Sequence, residues 1–106
     1  MKKLFISQPM RGKSEEEILA ERKRILEKAE AALGEPCEVI ESYEPSLAGK
    51  DENVNKPVWA LGYSLSYLAF ADVAAFGKGW EDARGCRIEH QVCLDYGIDI
   101  VEIYSD

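Results

Sequence analysis

Two hydrophobic periods take turns along this chain. Leu4-Phe5-Ile6 sits between polar ends in Lys2 to Ser7, the pattern of a short buried strand. Gln8-Pro9-Met10-Arg11-Gly12-Lys13 reads as a turn, because proline and glycine punctuate it. From Ser14 the period changes to helical: Ile18, Arg22, Ile25, Ala29 and Leu33 recur on one face, and Leu19 and Leu26 widen the stripe. Ser14-Glu15-Glu16-Glu17 forms a capping box whose acidic residues complement the helix dipole, and Gly34 and Pro36 end the helix.

A second strand is predicted over Glu38 to Ser42, centred on Val39-Ile40, and a loop over Tyr43 to Asn55, which carries Pro45, Gly49, Asp51 and Asn53. Pro57 suits the first turn of the next helix, which runs to about Ala71. That helix carries Trp59, Tyr63, Leu65, Tyr67 and Leu68, so it is apolar on more than one face, which predicts self-association. Val73 to Phe76 is a third strand. Gly77-Lys78-Gly79 opens a turn, a helix follows from about Arg84 to Tyr96, and Gly97 stops it. Ile98 to Tyr104 reads as the last strand.

The order is β-α-β-α-β-α-β, which predicts one α/β domain over 1–106: a small flavodoxin- or Rossmann-like three-layer sandwich with helices on both faces. The expected sheet is four-stranded and parallel, in the order 2-1-3-4, with its switch point between the first and third strands. Ligands in such sheets bind outside the carboxyl ends of the strands at that point. The two turns expected there are Gln8–Lys13 and Gly77–Ala83, and each leads into a helix N-terminus that suits an anion.

Composition narrows the function classes. A net charge of −7 lacks the basic footprint that a nucleic-acid polymer requires. It leaves room for a small phosphorylated ligand held locally by Arg11, Lys13 and backbone amides. No apolar run approaches the roughly 20 residues that span a bilayer, and Leu4-Phe5-Ile6 is too short for a secretory core, so a cytoplasmic location is expected. Cys37, Cys86 and Cys93 form no metal-like pair, and no cofactor or metal is expected.

Candidate chemistry gathers on the two turns. On the first, Ser7 can donate to a phosphate or sugar oxygen, and Gln8, Pro9 and Met10 line the wall beside it. Arg11 offers a rigid fork to phosphate or carboxylate, and Gly12 lets backbone approach a ligand closely. On the second, Gly77, Gly79, Gly85 and Cys86 form the opposite wall. Trp80 is placed either to stack on a base and cover the pocket or to anchor the turn. Asp82 can polarise or orient a substrate, or serve as a favourable charge near the helix start. Glu89 stands about one turn into the helix, and its meaning depends on whether it faces the pocket or the solvent. His90 is the sole histidine; it points roughly 100° away from Glu89, so the two form no dyad. Neither G-x-x-x-x-G-K-[ST] nor a full G-x-G-x-x-G is present, which argues against a nucleoside triphosphate or a dinucleotide.

Phe5-Ile6-Ser7-Gln8-Pro9-Met10-Arg11-Gly12 resembles the first-strand loop of the nucleoside 2-deoxyribosyltransferase superfamily. Gly79-Trp80-Glu81-Asp82-Ala83-Arg84-Gly85-Cys86-Arg87-Ile88-Glu89, followed by Cys93 and Gly97, resembles its second motif, and within the superfamily the chain is most similar to the DUF4406 branch. The resemblance implies a flavodoxin-like fold, a pocket for a nucleoside or nucleotide, and homo-oligomers. It also implies that Glu89 is the nucleophile of an N-deoxyribosyl hydrolase or transferase, attacking the anomeric carbon to form a glycosyl-enzyme. The leaving base takes a proton from a second carboxyl group or a water. The rival expectation is a nucleotide-binding module without chemistry, or an oligomeric interaction protein.

Overall fold

The computed structural model describes residues 1–41 and 55–102. Four strands form one sheet: β1 (Lys2–Ser7), β2 (Cys37–Val39), β3 (Val73–Phe76) and β4 (Asp99–Glu102), in the spatial order β2-β1-β3-β4. Every pairing is parallel, with Leu4 opposite Val39 and Val73, Ser7 opposite Phe76, and Val73 opposite Asp99. The expected class, topology and strand order are therefore the observed ones. The predicted loop over Tyr43 to Asn55 lies outside the described residues except for its last residue.

Three helices connect the strands: α1 (Glu15–Leu33), α2 (Lys56–Leu68) and α3 (Arg84–Tyr96). The α1 start is the capping box: Glu17 N–H donates to Ser14 Oγ at 3.1 Å, and Ser14 N–H donates to Glu17 Oε1 at 3.0 Å. Asn55 caps α2 by accepting from Val58 N–H at 3.2 Å. Gly34 and Gly97 end α1 and α3 at φ 72° and 74°, a left-handed conformation that glycine adopts at little cost.

Alternation along β1 and β3 sends side chains to two cores. Leu4, Ile6, Val73 and Ala75 pack with Ile25 and Ala29 of α1. Phe5, Ala74 and Phe76 pack on the other face with Leu68 of α2 and Cys93 of α3. Both faces of the sheet are thus covered, which is why β1 and β3 read as unbroken apolar runs rather than as alternating ones. Burying a side chain such as Phe5 contributes about 1.5–3 kcal/mol.

Element bounds differ from the sequence expectation at a few ends. β2 begins earlier, at Cys37, and ends at Val39. α2 ends at Leu68, short of Ala71, and Phe70 and Ala71 instead donate to the carbonyls of Tyr67 and Leu68 in a tighter turn. The second glycine turn holds a single 3-10 turn, Trp80–Asp82, that periodicity over so few residues does not reveal. Among the described residues, no helix is long and apolar enough to cross a membrane.

Candidate functional site

The site begins at the last residues of β1. The pleat points Ser7 toward α2 and α3, and Gln8 toward α1. Both are buried, as is Glu89 in the second turn of α3, whose exposure is 7%. Ser7 Oγ donates to Glu89 Oε1 at 2.6 Å. The acid therefore turns inward, toward the carboxyl end of β1, rather than out to solvent. Burial pushes its pKa above the ordinary 4.5, and the hydroxyls of Ser7 and of Ser64 on α2 pull it back by favouring the charged form. Two thiols share this face of α3. Burial raises Cys86 and Cys93 to about 11 each, and the Glu89 charge adds to both. They are small apolar packing groups at neutral pH, not nucleophiles.

The two turns face each other across a cavity of about 600 Å³. Pro9, Met10 and Arg11 line it on one side; Gly79 and the segment from Asp82 to Gly85 line it on the other. Gly12 at φ 78° and Gly79 at φ 85° make the two bends. α3 starts at this cavity without a side-chain cap, because Ala83 has none to offer. Its first amides, Arg11 and Arg84 bring positive charge to the cavity lining, and Asp82 brings a negative charge to the same lining. Among the described residues, no group of three or more His, Cys, Asp or Glu side chains could hold a metal ion.

The structure sorts the sequence candidates by place. Pro9, Met10, Arg11, Gly79, Asp82 and Gly85 line the cavity. Ser7, Cys86 and Glu89 are buried away from its lining, at the level of the Ser7–Glu89 bond. Gln8 belongs to a different network: its Nε2 donates to Ile18 O at 3.2 Å and to Glu21 Oε1 at 2.8 Å, and its Oε1 accepts from Arg22 Nη1 at 3.1 Å. With both amide ends engaged on α1, Gln8 shapes the loop rather than reaching a ligand. Gly77 is a packing glycine, since a Cβ there would stand 3.2 Å from Ile25 Cδ1 and 3.3 Å from Gln8 Cβ. Gly12 forms its bend at the exposed surface and is not part of the cavity lining. Trp80 stacks on His90, with ring centroids 4.0 Å apart, and tilts against Phe76. Of its two candidate roles the ring takes the anchoring one.

Ser64 is the site residue that sequence reasoning missed. Its signal was a small polar residue one turn before Leu68, on the buried face of an otherwise apolar helix. Asp72, at the opposite end of the sheet, accepts from Lys3 N–H at 2.8 Å and is a structural group, as its position at the amino end of β3 predicts.

No family model, curated protein or solved structure matches this chain. Its function is therefore argued from the geometry.

Proposed function

We propose that the chain is an N-deoxyribosyl hydrolase or transferase acting on a nucleoside or nucleotide, with Glu89 as nucleophile. One observation carries the reading: a buried carboxyl group at the sheet's switch point, held by Ser7 Oγ at 2.6 Å beside a cavity between two glycine-bearing turns. A carboxylate kept from water attacks an electrophilic carbon with little hydration to shed and stabilises the positive charge that develops there. The step is a displacement at the anomeric carbon. A Glu89 oxygen bonds to that carbon, the carbon–nitrogen bond breaks, and its electron pair leaves with the base, which takes up a proton. Water or a second base then attacks the glycosyl ester and frees Glu89. Asp82, exposed at the cavity rim, is the proposed group to protonate or orient the base. Arg11 and Arg84 favour a 5′-phosphate on the ligand.

The test is incubation with a mixed pool of deoxynucleosides and deoxynucleoside monophosphates, read by release of free bases, beside Glu89→Gln. Release by the parent and none by the variant is the expected result; equal release by both ends the case for the nucleophile.

A second reading has its own support. Glu89 and Ser7 are not among the residues that line the cavity, which fits a module that binds a nucleotide and leaves it unchanged. Tight binding, seen as a ligand-dependent rise in melting temperature with no product after long incubation, favours that reading. We further propose that the protein is a cytoplasmic homo-oligomer. Its three cysteines are buried and free, as in a reducing compartment. Trp59 and Tyr63 stack 5.6 Å apart on α2, and Val58 beside them is exposed, so this face suits a second copy. Light scattering at micromolar concentration checks the assembly; a monomeric mass is the contrary outcome.

A further inference from the structure

We propose that Gly85 is the window between the cavity and the Glu89 carboxyl, so that position 85 determines what can reach the acid. Gly85 and Glu89 are four residues apart on α3 and share a helix face. Helical side chains lean toward the N-terminus, so the Glu89 carboxyl lies over the turn that contains Gly85 and Cys86. Ser7 Oγ pins it there from the end of β1. Gly85 lines the cavity and Glu89, one turn further along the same face, does not.

Neither the backbone nor the packing asks for glycine at this position. Gly85 is not among the residues with positive φ. A Cβ built on it meets no atom within 4 Å. Glycine is a poorer helix former than alanine, so the residue weakens α3 for no structural return. The contrast with Gly77 is direct: there a Cβ would press on Ile25 and Gln8. Gly62 of α2 is as uncrowded as Gly85 but is not part of the cavity lining. What distinguishes Gly85 is its place over the acid. A side chain there would extend into the cavity, on the helix face that position 85 shares with Glu89. The meaning of the window rests on the reading of Glu89 as nucleophile: the reacting carbon crosses above Gly85, while the larger groups of the ligand stay between Met10, Arg11 and Asp82.

The experiment compares the parent protein with Gly85→Ala, Gly85→Val and, as a control away from the cavity, Gly62→Ala. Each is treated in mildly acidic buffer with a small diazoacetamide, which esterifies protonated carboxyl groups, and labelling at Glu89 is read by peptide mapping. Melting temperature and base release are read on the same samples. Gly85→Ala is expected to melt higher than the parent and to label less, and Gly85→Val to label at least tenfold less while still folded. Gly62→Ala should also melt higher but label like the parent. Equal labelling across all four proteins, or no labelling of the parent, overturns the window. Labelling that falls with side-chain size in a parent that releases no base keeps the window and removes the nucleophile reading.

Discussion

Ser7 and Gln8 are neighbours in the chain, equally buried, and lie on opposite faces of the sheet; the polar networks they enter have opposite characters. On the α1 side the network joins an amide to charged groups of both signs. The Gln8 amide serves Ile18, Glu21 and Arg22, and Lys13 pairs with Glu21 at 3.0 Å. An anion meets a cation, and each amide end has a partner, which is how a fold keeps polar groups inside at small net cost. On the α3 side, the partners of Glu89 among the described residues are two hydroxyls, those of Ser7 and Ser64. Burial dominates there and holds the acid above its ordinary pKa. A buried carboxyl stabilised by so little contributes nothing to folding that a neutral amide would not. The first network explains how the loop is held, and the second is where chemistry is placed.

The comparison breaks most visibly at Glu89→Gln. Base release should fall at least about a thousandfold, as when a nucleophile is removed. Stability should move the other way. In the unfolded chain Glu89 titrates near 4.5, and in the native protein at a higher pH. Between those values the native state keeps a proton that the unfolded chain has lost, so native stability falls as pH rises through the interval and levels off above it. The glutamine variant has no such loss. Urea midpoints should thus be similar below pH 4.5 and favour the variant progressively as pH rises above it. A variant less stable than the parent at neutral pH would mean that the carboxylate is structural.

The α1-side network predicts the reverse pairing of effects. Gln8→Leu keeps side-chain volume but removes the acceptor of Arg22 Nη1 and the donor to Ile18 O. Leaving such buried groups without a partner costs about 1–3 kcal/mol, read as a lower urea midpoint. Base release per folded molecule should hold, because the Gln8 amide is engaged on α1. A fall in release with the midpoint unchanged would turn Gln8 back into a ligand contact and erase the contrast between the two faces.

Much of this was legible because it depends on local pattern. The switch from period 2 to helical spacing fixes the element order, and parallel crossovers leave few sheet orders to choose from. The place of Glu89 about one turn into α3 was legible too, but the sequence leaves its direction open, and the bond from Ser7 decides it. What the sequence did not reveal depends on contacts between elements far apart in the chain. Arg22 occupies an apolar stripe, a visible anomaly, but its partner Gln8 lies in the turn after β1. Trp80 is settled by His90, which lies on the same face only because a 3-10 turn folds the ring onto α3. Ser64 matters only once α2 is known to pack beside α3 on the same face as Ser7.

The smallest expected effect is the sharpest probe of the α3-side network. Ser7→Ala deletes a hydroxyl that favours the charged form of Glu89, so burial acts with less opposition and the native pKa of the acid rises further. The acid limb of base release, which reports the anionic nucleophile, should shift to higher pH while the rate at its plateau changes less. Stability should fall by about 1–2 kcal/mol at alkaline pH, where the carboxylate has lost a charged hydrogen bond. It should fall less in acid, where Glu89 is protonated and the lost bond is a neutral one. A plateau that collapses with its pH limb unmoved would make Ser7 a ligand contact instead. In that case the hydroxyl would be acting on the substrate, and Ser64 would have to hold the carboxylate alone.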